Sequence, residues 1–364
     1  MKIPQIATEL VTVRDPSANP SALKRAGGIL REGGLVAFPT ETVYGLGADA
    51  LNPEAVQKIY LAKGRPSDNP LIVHIADEQA LAPLVSEIPT QAEQLMEKFW
   101  PGPLTLVLPR SPRVPDRVTG GLATVAVRMP DHPVALALLK EAGVPVAAPS
   151  ANLSGRPSPT TAQHVWQDLA GRVEMIIDSG PVGVGVESTV LDLTTETPMI
   201  LRPGGVTAEE LEQVLGKKPA LDPSLTATKA ADPAGGQREE LVPRSPGMKY
   251  THYSPEAQVI LVEGDLPVMV ETIQRLAGEH LGQGLKVGIM ATSETQEAYR
   301  EGTVISVGSR GDLSTVAANL YGSLREFDAR GVQVILAEGF DQAGLGAAVM
   351  NRLTKAAGRV VKVL

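Results

Sequence analysis

The chain has no cysteine among its 364 residues. That excludes disulfides, thiolate nucleophiles, iron–sulfur clusters and thiolate zinc sites outright. Aromatic side chains are scarce, with two Trp, six Tyr and four Phe, so any local concentration of them stands out. No apolar run approaches the roughly 20 residues that cross a bilayer. Residues 1–5 are not followed by the apolar stretch of a signal peptide. A cytoplasmic, soluble protein with no membrane partner is expected. Positive charge is also in deficit, with 33 Lys and Arg against 41 Asp and Glu, a net charge of −8. Broad binding to a phosphate backbone needs the opposite balance, so stable nucleic-acid binding is not expected, and a local basic pocket is the most that is open. The five His are scattered and form no His-x-x-x-His pair, so no permanent protein-held metal is expected.

What is present is a loop-rich α/β pattern. The length suggests two domains, and 36 Gly and 30 Pro are interleaved with apolar strands and helices rather than gathered in tracts. Strands are expected at 35–38, 71–75, 104–108, 124–128, 144–148, 175–178, 189–193 and 199–202. The helix at 53–63 is well signalled, with Asn52 as N-cap, Pro53 at its first position and Gly64 just past its end. Some strands follow one another directly, which predicts a mixed sheet. Residues 1–216 are read as the catalytic domain and 217–256 as a linker, since 217–247 holds five Pro and no aromatic. The linker ends in Tyr250-Thr251-His252-Tyr253, where two of the rare aromatics fall within four positions. From 257 to 364 a βαβ alternation predicts a small Rossmann-like parallel domain. It lacks Gly-x-Gly-x-x-Gly after its first strand, so dinucleotide binding there has little support.

Several strand-end loops are rich in hydroxyls and carry single cations. Residues 39–47, Pro-Thr-Glu-Thr-Val-Tyr-Gly-Leu-Gly, contain Thr40 and Thr42 in what reads as a loop. Lys63-Gly64-Arg65 puts two cations two residues apart, a fork and a point charge that can face one polyphosphate or decorate a helix end. His74 lies in an apolar strand, where a lone His is first of all a core residue. Alternation along 124–128 sets Thr124, Ala126 and Arg128 on one face, and Arg128 at the strand end can hold a carboxylate. Residues 147–159 pack Ser150, Asn152, Ser154, Arg156 and Ser158 among three Pro, a stiff cradle for phosphate or nucleoside. Glu187-Ser188-Thr189 and Arg202-Pro203-Gly204 repeat the device. Together these suit a phosphorylated anionic ligand, with Mg²⁺ riding on its phosphates. There is no Walker A loop.

At these positions the sequence resembles the two-domain threonylcarbamoyl-AMP synthase family, a YrdC-like domain followed by the extra domain of its longer members. The resemblance is carried by Pro39-Thr40-Glu41-Thr42-Val43-Tyr44-Gly45-Leu46, Lys63-Gly64-Arg65 with Asn69-Pro70-Leu71, Ser150-Ala151-Asn152, Val186-Glu187-Ser188-Thr189 and Pro246-Gly247-Met248-Lys249-Tyr250-Thr251-His252-Tyr253. It implies a YrdC-like twisted mixed sheet with helices, a linker, and a Rossmann-like parallel domain. The implied reaction joins ATP, L-threonine and bicarbonate or CO₂ into L-threonylcarbamoyl-AMP and pyrophosphate. A downstream threonylcarbamoyl-transferase complex then modifies adenosine in tRNAs reading codons that begin with A. The implied catalytic residues are Lys63 and Arg65. The threonine pocket is implied at Thr40 or Thr42, His74, Arg128, Ala148 and Ser188. ATP contacts are implied at Lys63, Arg65, Asn69, Thr124, Ser150, Asn152, Ser158, Arg202 and Tyr250, with Mg²⁺ carried by ATP and no other metal. Tyr250, with His252 and Tyr253, is expected to fold over the cleft and exclude water.

Two rivals are a double-stranded-RNA-binding module and a carbamoyl-phosphate-using relative. The net charge weighs against the first. The absence of Cys weighs against the second, whose zinc-finger modules require it.

Overall fold

The computed structural model describes residues 6–226 and 253–363. Two sheets organise them. The first has eleven strands, β1 (Glu9–Thr12), β2 (Val36–Phe38), β3 (Gly45–Asp49), β4 (Ile72–His74), β5 (Leu104–Pro109), β6 (Thr124–Arg128), β7 (Val146–Ala147), β8 (Met175–Asp178), β9 (Thr189–Asp192), β10 (Met199–Arg202) and β11 (Ala220–Leu221). Their order is β1-β8-β2-β3-β7-β4-β6-β5-β9-β10-β11, with both parallel and antiparallel neighbours, as the strand pattern predicts. The second sheet holds β12 (Gln258–Glu263), β13 (Val287–Ala291), β14 (Thr303–Ser306), β15 (Val334–Glu338) and β16 (Ala357–Lys362). Its order is β14-β13-β15-β12-β16 and every pair is parallel, the Rossmann-like arrangement.

Apolar burial fixes the helices on these sheets. Pro20–Arg31 and Pro133–Ala142 share one core, with Ala22, Leu23, Ala26 and Leu30 packed beside Val134, Ala135 and Leu138 over Val36 and Phe38. On the other face a larger core gathers Val56, Ile59, Leu95, Leu106, Val127 and Val165. The helix Pro53–Lys63 starts as its sequence dictates: the Asn52 side chain accepts from the Glu54 and Ala55 amides, and Gly64 closes it at φ 62°. That stop sets Lys63 in the last turn and Arg65 just beyond.

Three segments differ from the sequence reading. Residues 45–49 form β3 rather than a loop, antiparallel to β2 and β7. Its Gly and Ala carry no β-branched signal because neighbours crowd it: a Cβ at Gly47 would lie 2.8 Å from Val146 and 2.9 Å from the Phe38 ring. Residues 217–256 were expected to be linker, yet β11 pairs parallel with β10 and a turn of helix, Pro223–Thr226, follows it. Past the helix Gly346–Ala356 the chain runs straight into edge strand β16 at Ala357, a strand that the sequence reading does not mark.

Candidate active site

The strand ends of the first sheet converge. β4 and β6 are parallel neighbours in a register that sets His74 beside Arg128. The loop after β7 is tied to the start of β3 by a bridge between Gly45 and Ser150 and by the Ala151 amide donating to the Tyr44 carbonyl at 2.8 Å. Arg202 ends β10, and its guanidinium donates to the Ser188 carbonyl from Nε and Nη2 at 3.1 and 3.0 Å and to the Ser188 hydroxyl at 3.1 Å. The Ser188 hydroxyl in turn lies 2.7 Å from that of Thr105.

The result is one open cleft. Of the positions singled out in the sequence, Thr40, Thr42, Lys63, Arg65, His74, Arg128, Ala148, Ser150, Asn152, Ser158, Ser188 and Arg202 all line it. Asn69 and Thr124 are not among the lining residues. Asn69 is fully buried beside Arg65, whose Nη2 lies 3.5 Å from its carbonyl, and among the described residues neither end of its side-chain amide has a partner. Thr124 begins β6, opposite Pro109. Tyr250 and His252 lie outside the described residues. Tyr253 is described: it is buried, lines the cleft, and holds the left-handed backbone angle φ 65°, which a bulky residue seldom adopts.

The cleft lining carries two groupings of polar side chains. In one, Arg128 donates through Nε to the Gly102 carbonyl at 3.1 Å, through Nη1 to the Thr42 hydroxyl at 2.9 Å, and through Nη2 to the Glu41 carboxylate. Among the described residues the second Glu41 oxygen has no partner. Thr40 and Thr42 share a hydrogen bond of 2.8 Å. His74 is buried here, and burial together with the Arg128 charge pulls its pKa down to about 3, so the imidazole is neutral at physiological pH. The other grouping is Lys63, Arg65 and Arg202, which line the cleft with the Ser and Asn side chains of the loop at 150–158; Arg65 lies close enough to feel the Arg202 charge and to act on Lys63. Burial, then the Arg65 charge, lowers the Lys63 pKa. Among the described residues no group of three or more His, Asp or Glu is placed to hold a metal ion, and no helix is long and apolar enough to cross a membrane.

Comparison with known proteins places this geometry. Residues 28–204 match the family described as "Telomere recombination", and residues 206–358 match "Threonylcarbamoyl-AMP synthase, C-terminal domain". The threonylcarbamoyl-AMP synthase of Bacillus subtilis is 53% identical over 95% of this chain and 96% of its own length. This chain belongs to the threonylcarbamoyl-AMP synthase family. A second curated member, from Pyrococcus abyssi, is 51% identical over 94% of this chain and 96% of its own. The crystal structure of P. abyssi Sua5 complexed with L-threonine superposes with a TM-score of 0.88 at 49% identity, covering 98% of this chain and 99% of that one.

Within this synthase-family fold, two acidic residues had no role assigned from sequence: Glu187 in the cleft lining and Glu41 beside Arg128. Glu187 lines the cleft with its carboxylate buried, hydrogen-bonded by the Ser158 hydroxyl at 2.6 Å. Burial alone would lift its pKa, but the charges of Arg352 and Arg202 hold it at about 2. Its signal was the Glu in Glu187-Ser188-Thr189, visible as a motif but silent about its partners. Glu41 was likewise visible, and only the fold shows that it meets Arg128.

Proposed function

We propose that this cleft joins L-threonine, bicarbonate or CO₂, and ATP into L-threonylcarbamoyl-AMP with release of pyrophosphate, and that the two groupings of its lining divide the substrates. What supports the reading is the presence in one cleft of a buried carboxylate-binding fork, Arg128, and of a separate cation group, Lys63, Arg65 and Arg202.

The threonine carboxylate docks on Arg128, with Thr40, Thr42, His74, Ala148 and Ser188 shaping the pocket. The threonine ammonium gives a proton to solvent, the amine nitrogen forms a bond to the carbon of CO₂, and loss of a second proton from that nitrogen to solvent leaves a carbamate. A carbamate oxygen then attacks the α-phosphorus of ATP in line, and the bond to the β-phosphate bridging oxygen breaks as pyrophosphate leaves. Lys63 and Arg65 neutralise the charge that gathers on carbamate and phosphate, which is worth most in a site sheltered from water. Ser150, Asn152, Ser158 and Arg202 hold ATP, and Asn69, buried behind the cleft wall, backs the Arg65 guanidinium through its main-chain carbonyl. Mg²⁺ bound to the ATP phosphates shares the charge neutralisation. No side chain becomes covalently modified, and catalysis is positioning and electrostatics. The product is a mixed anhydride, ready to acylate an amine: in this reading, the N6 amine of tRNA adenosine, moved by a separate transferase complex.

The test is pyrophosphate release by the full chain with Mg²⁺, ATP, bicarbonate and each amino acid in turn. Turnover that requires threonine and bicarbonate is expected. Pyrophosphate release indifferent to the amino acid would overturn the reading.

A further inference from the structure

The second domain touches the cleft wall from behind. Its helix Leu313–Ala329 carries Tyr321 and Arg325, and its helix Gly346–Ala356 carries Arg352. Tyr321 and Arg352 are fully buried. The Tyr321 hydroxyl donates to Glu187 Oε2 at 2.9 Å, and Arg352 Nε donates to the same oxygen at 2.9 Å. Arg352 Nη1 also donates to the Pro203 carbonyl at 2.6 Å, next to Arg202. Arg325 Nη2 donates to the Pro157 carbonyl at 2.6 Å, next to Ser158. The approach is tight: at Gly185 a Cβ would collide with the Ala317 and Ala318 backbone of the first of these helices.

Glu187 is therefore a junction. The Ser158 hydroxyl faces it from the cleft side, and Tyr321 and Arg352 face it from the second domain. Arg202, the other guanidinium whose charge Glu187 feels, is at present directed at Ser188 instead. A buried carboxylate that loses one guanidinium turns to the next, because an unpaired charge in such a place is costly. Single-domain relatives named putative threonylcarbamoyl-AMP synthase, such as that of Mycobacterium tuberculosis, are matched over 57% of this chain and 96% of their own length. So the second domain's contact is an addition to the cleft.

We infer that Arg352 and Tyr321 are positioning residues for the adenylation step: by holding Glu187 on the second-domain side they keep it from pairing with Arg202, and so leave Arg202 set for ATP. This rests on the assignment of ATP to the grouping that includes Arg202.

Arg352→Met and Tyr321→Phe, made in the full chain, test it through threonine-dependent pyrophosphate release with ATP and threonine varied separately. Arg352→Met is expected to raise the KM for ATP about tenfold or more, and Tyr321→Phe about threefold. The KM for threonine should move less than the KM for ATP in both, since Arg128 bonds Gly102, Thr42 and Glu41 and makes none of the junction's hydrogen bonds. Adding Glu187→Gln to either variant should recover part of the loss, because a neutral amide no longer competes for Arg202. Equal rises in both KM values, or no recovery in the double variants, would reduce the contact to packing and overturn the inference. So would an unchanged KM for ATP. Should Arg352→Met fail to fold, Tyr321→Phe alone and with Glu187→Gln carries the same comparison. Wild-type protein that shows no threonine-dependent turnover would sink the assigned reaction instead. Calorimetric ATP binding by wild type and variants would then still decide whether Arg352 governs that grouping.

Discussion

Lys63 donates to the Asn152 main-chain carbonyl at 2.6 Å and to its side-chain Oδ1 at 3.3 Å, and the same ammonium reaches the Ser150 carbonyl at 2.5 Å. One cation thus ties the Lys-x-Arg and Ser-x-Asn motifs together, although they lie nearly ninety residues apart. Three acceptors suit three ammonium protons and oppose the pull of burial towards the neutral amine. Lys63→Met removes the tie and one of the cations proposed to face the phosphates. Turnover should fall about a hundredfold or more, with the far-UV dichroism unchanged. A folded variant that keeps most of its turnover would show that Lys63 only braces the loop.

Arg128 spends three of its donors on Gly102, Thr42 and Glu41, which fixes the plane of the guanidinium before any substrate arrives. Arg128→Lys keeps the charge and loses the fork. The KM for threonine should rise about tenfold or more, since a point charge cannot reproduce bidentate geometry. The KM for ATP should change less than about twofold. A threonine KM that does not move would place the substrate carboxylate elsewhere.

The parts of the site legible in the sequence were those whose signal is local. Asn52, Pro53 and Gly64 bracket a helix, and the position of Lys63 follows from it. Arg128 and His74 sit at the ends of recognisable strands, but their side-by-side register depends on β4 and β6 pairing across fifty residues, which no local pattern encodes. β3 was hidden because close packing selects Gly and Ala there, and these residues look like loop. The edge strands β1 and β16 were hidden because their exposed faces carry no buried alternation. Glu187 was seen as part of a motif, but its role depends on Tyr321 and Arg352, more than a hundred residues downstream and in another domain.

Acid should expose the buried imidazole. In the folded chain the His74 pKa lies at about 3, below its ordinary value of 6.5, because burial and then Arg128 disfavour the cation. Between those values the unfolded chain binds a proton that the folded chain refuses, so stability falls as pH drops from 6.5 towards 3, by up to about 1.4 kcal/mol per unit for this one group. His164, held at about 4 by burial and Arg325, adds to the slope in the same direction over a narrower span. His74→Asn should flatten the slope of urea-unfolding stability against pH on the acid side. An identical slope in wild type and variant would mean that His74 keeps an ordinary pKa in the fold.

Asp168 is the second point at which the domains are joined by charge. Its side chain is fully buried and accepts from Arg325 Nη2 at 2.7 Å, from Arg156 Nη1 at 3.0 Å and from the Leu153 amide at 3.2 Å. Asp168→Asn leaves Arg325 buried without its counter-charge, which should cost about 3–5 kcal/mol. Because Arg325 sits on the second domain and Asp168 on the first, the cost falls on docking rather than on either core. Both Trp residues, Trp100 and Trp166, lie in the first domain, so fluorescence follows that domain while far-UV dichroism follows both. In wild-type protein the two urea transitions should coincide, as a single cooperative unit requires. In Asp168→Asn the dichroism transition should broaden and separate from the fluorescence transition as the second domain unfolds on its own. Coincident transitions in the variant at an unchanged midpoint would show that the apolar contact between the domains suffices without this pair.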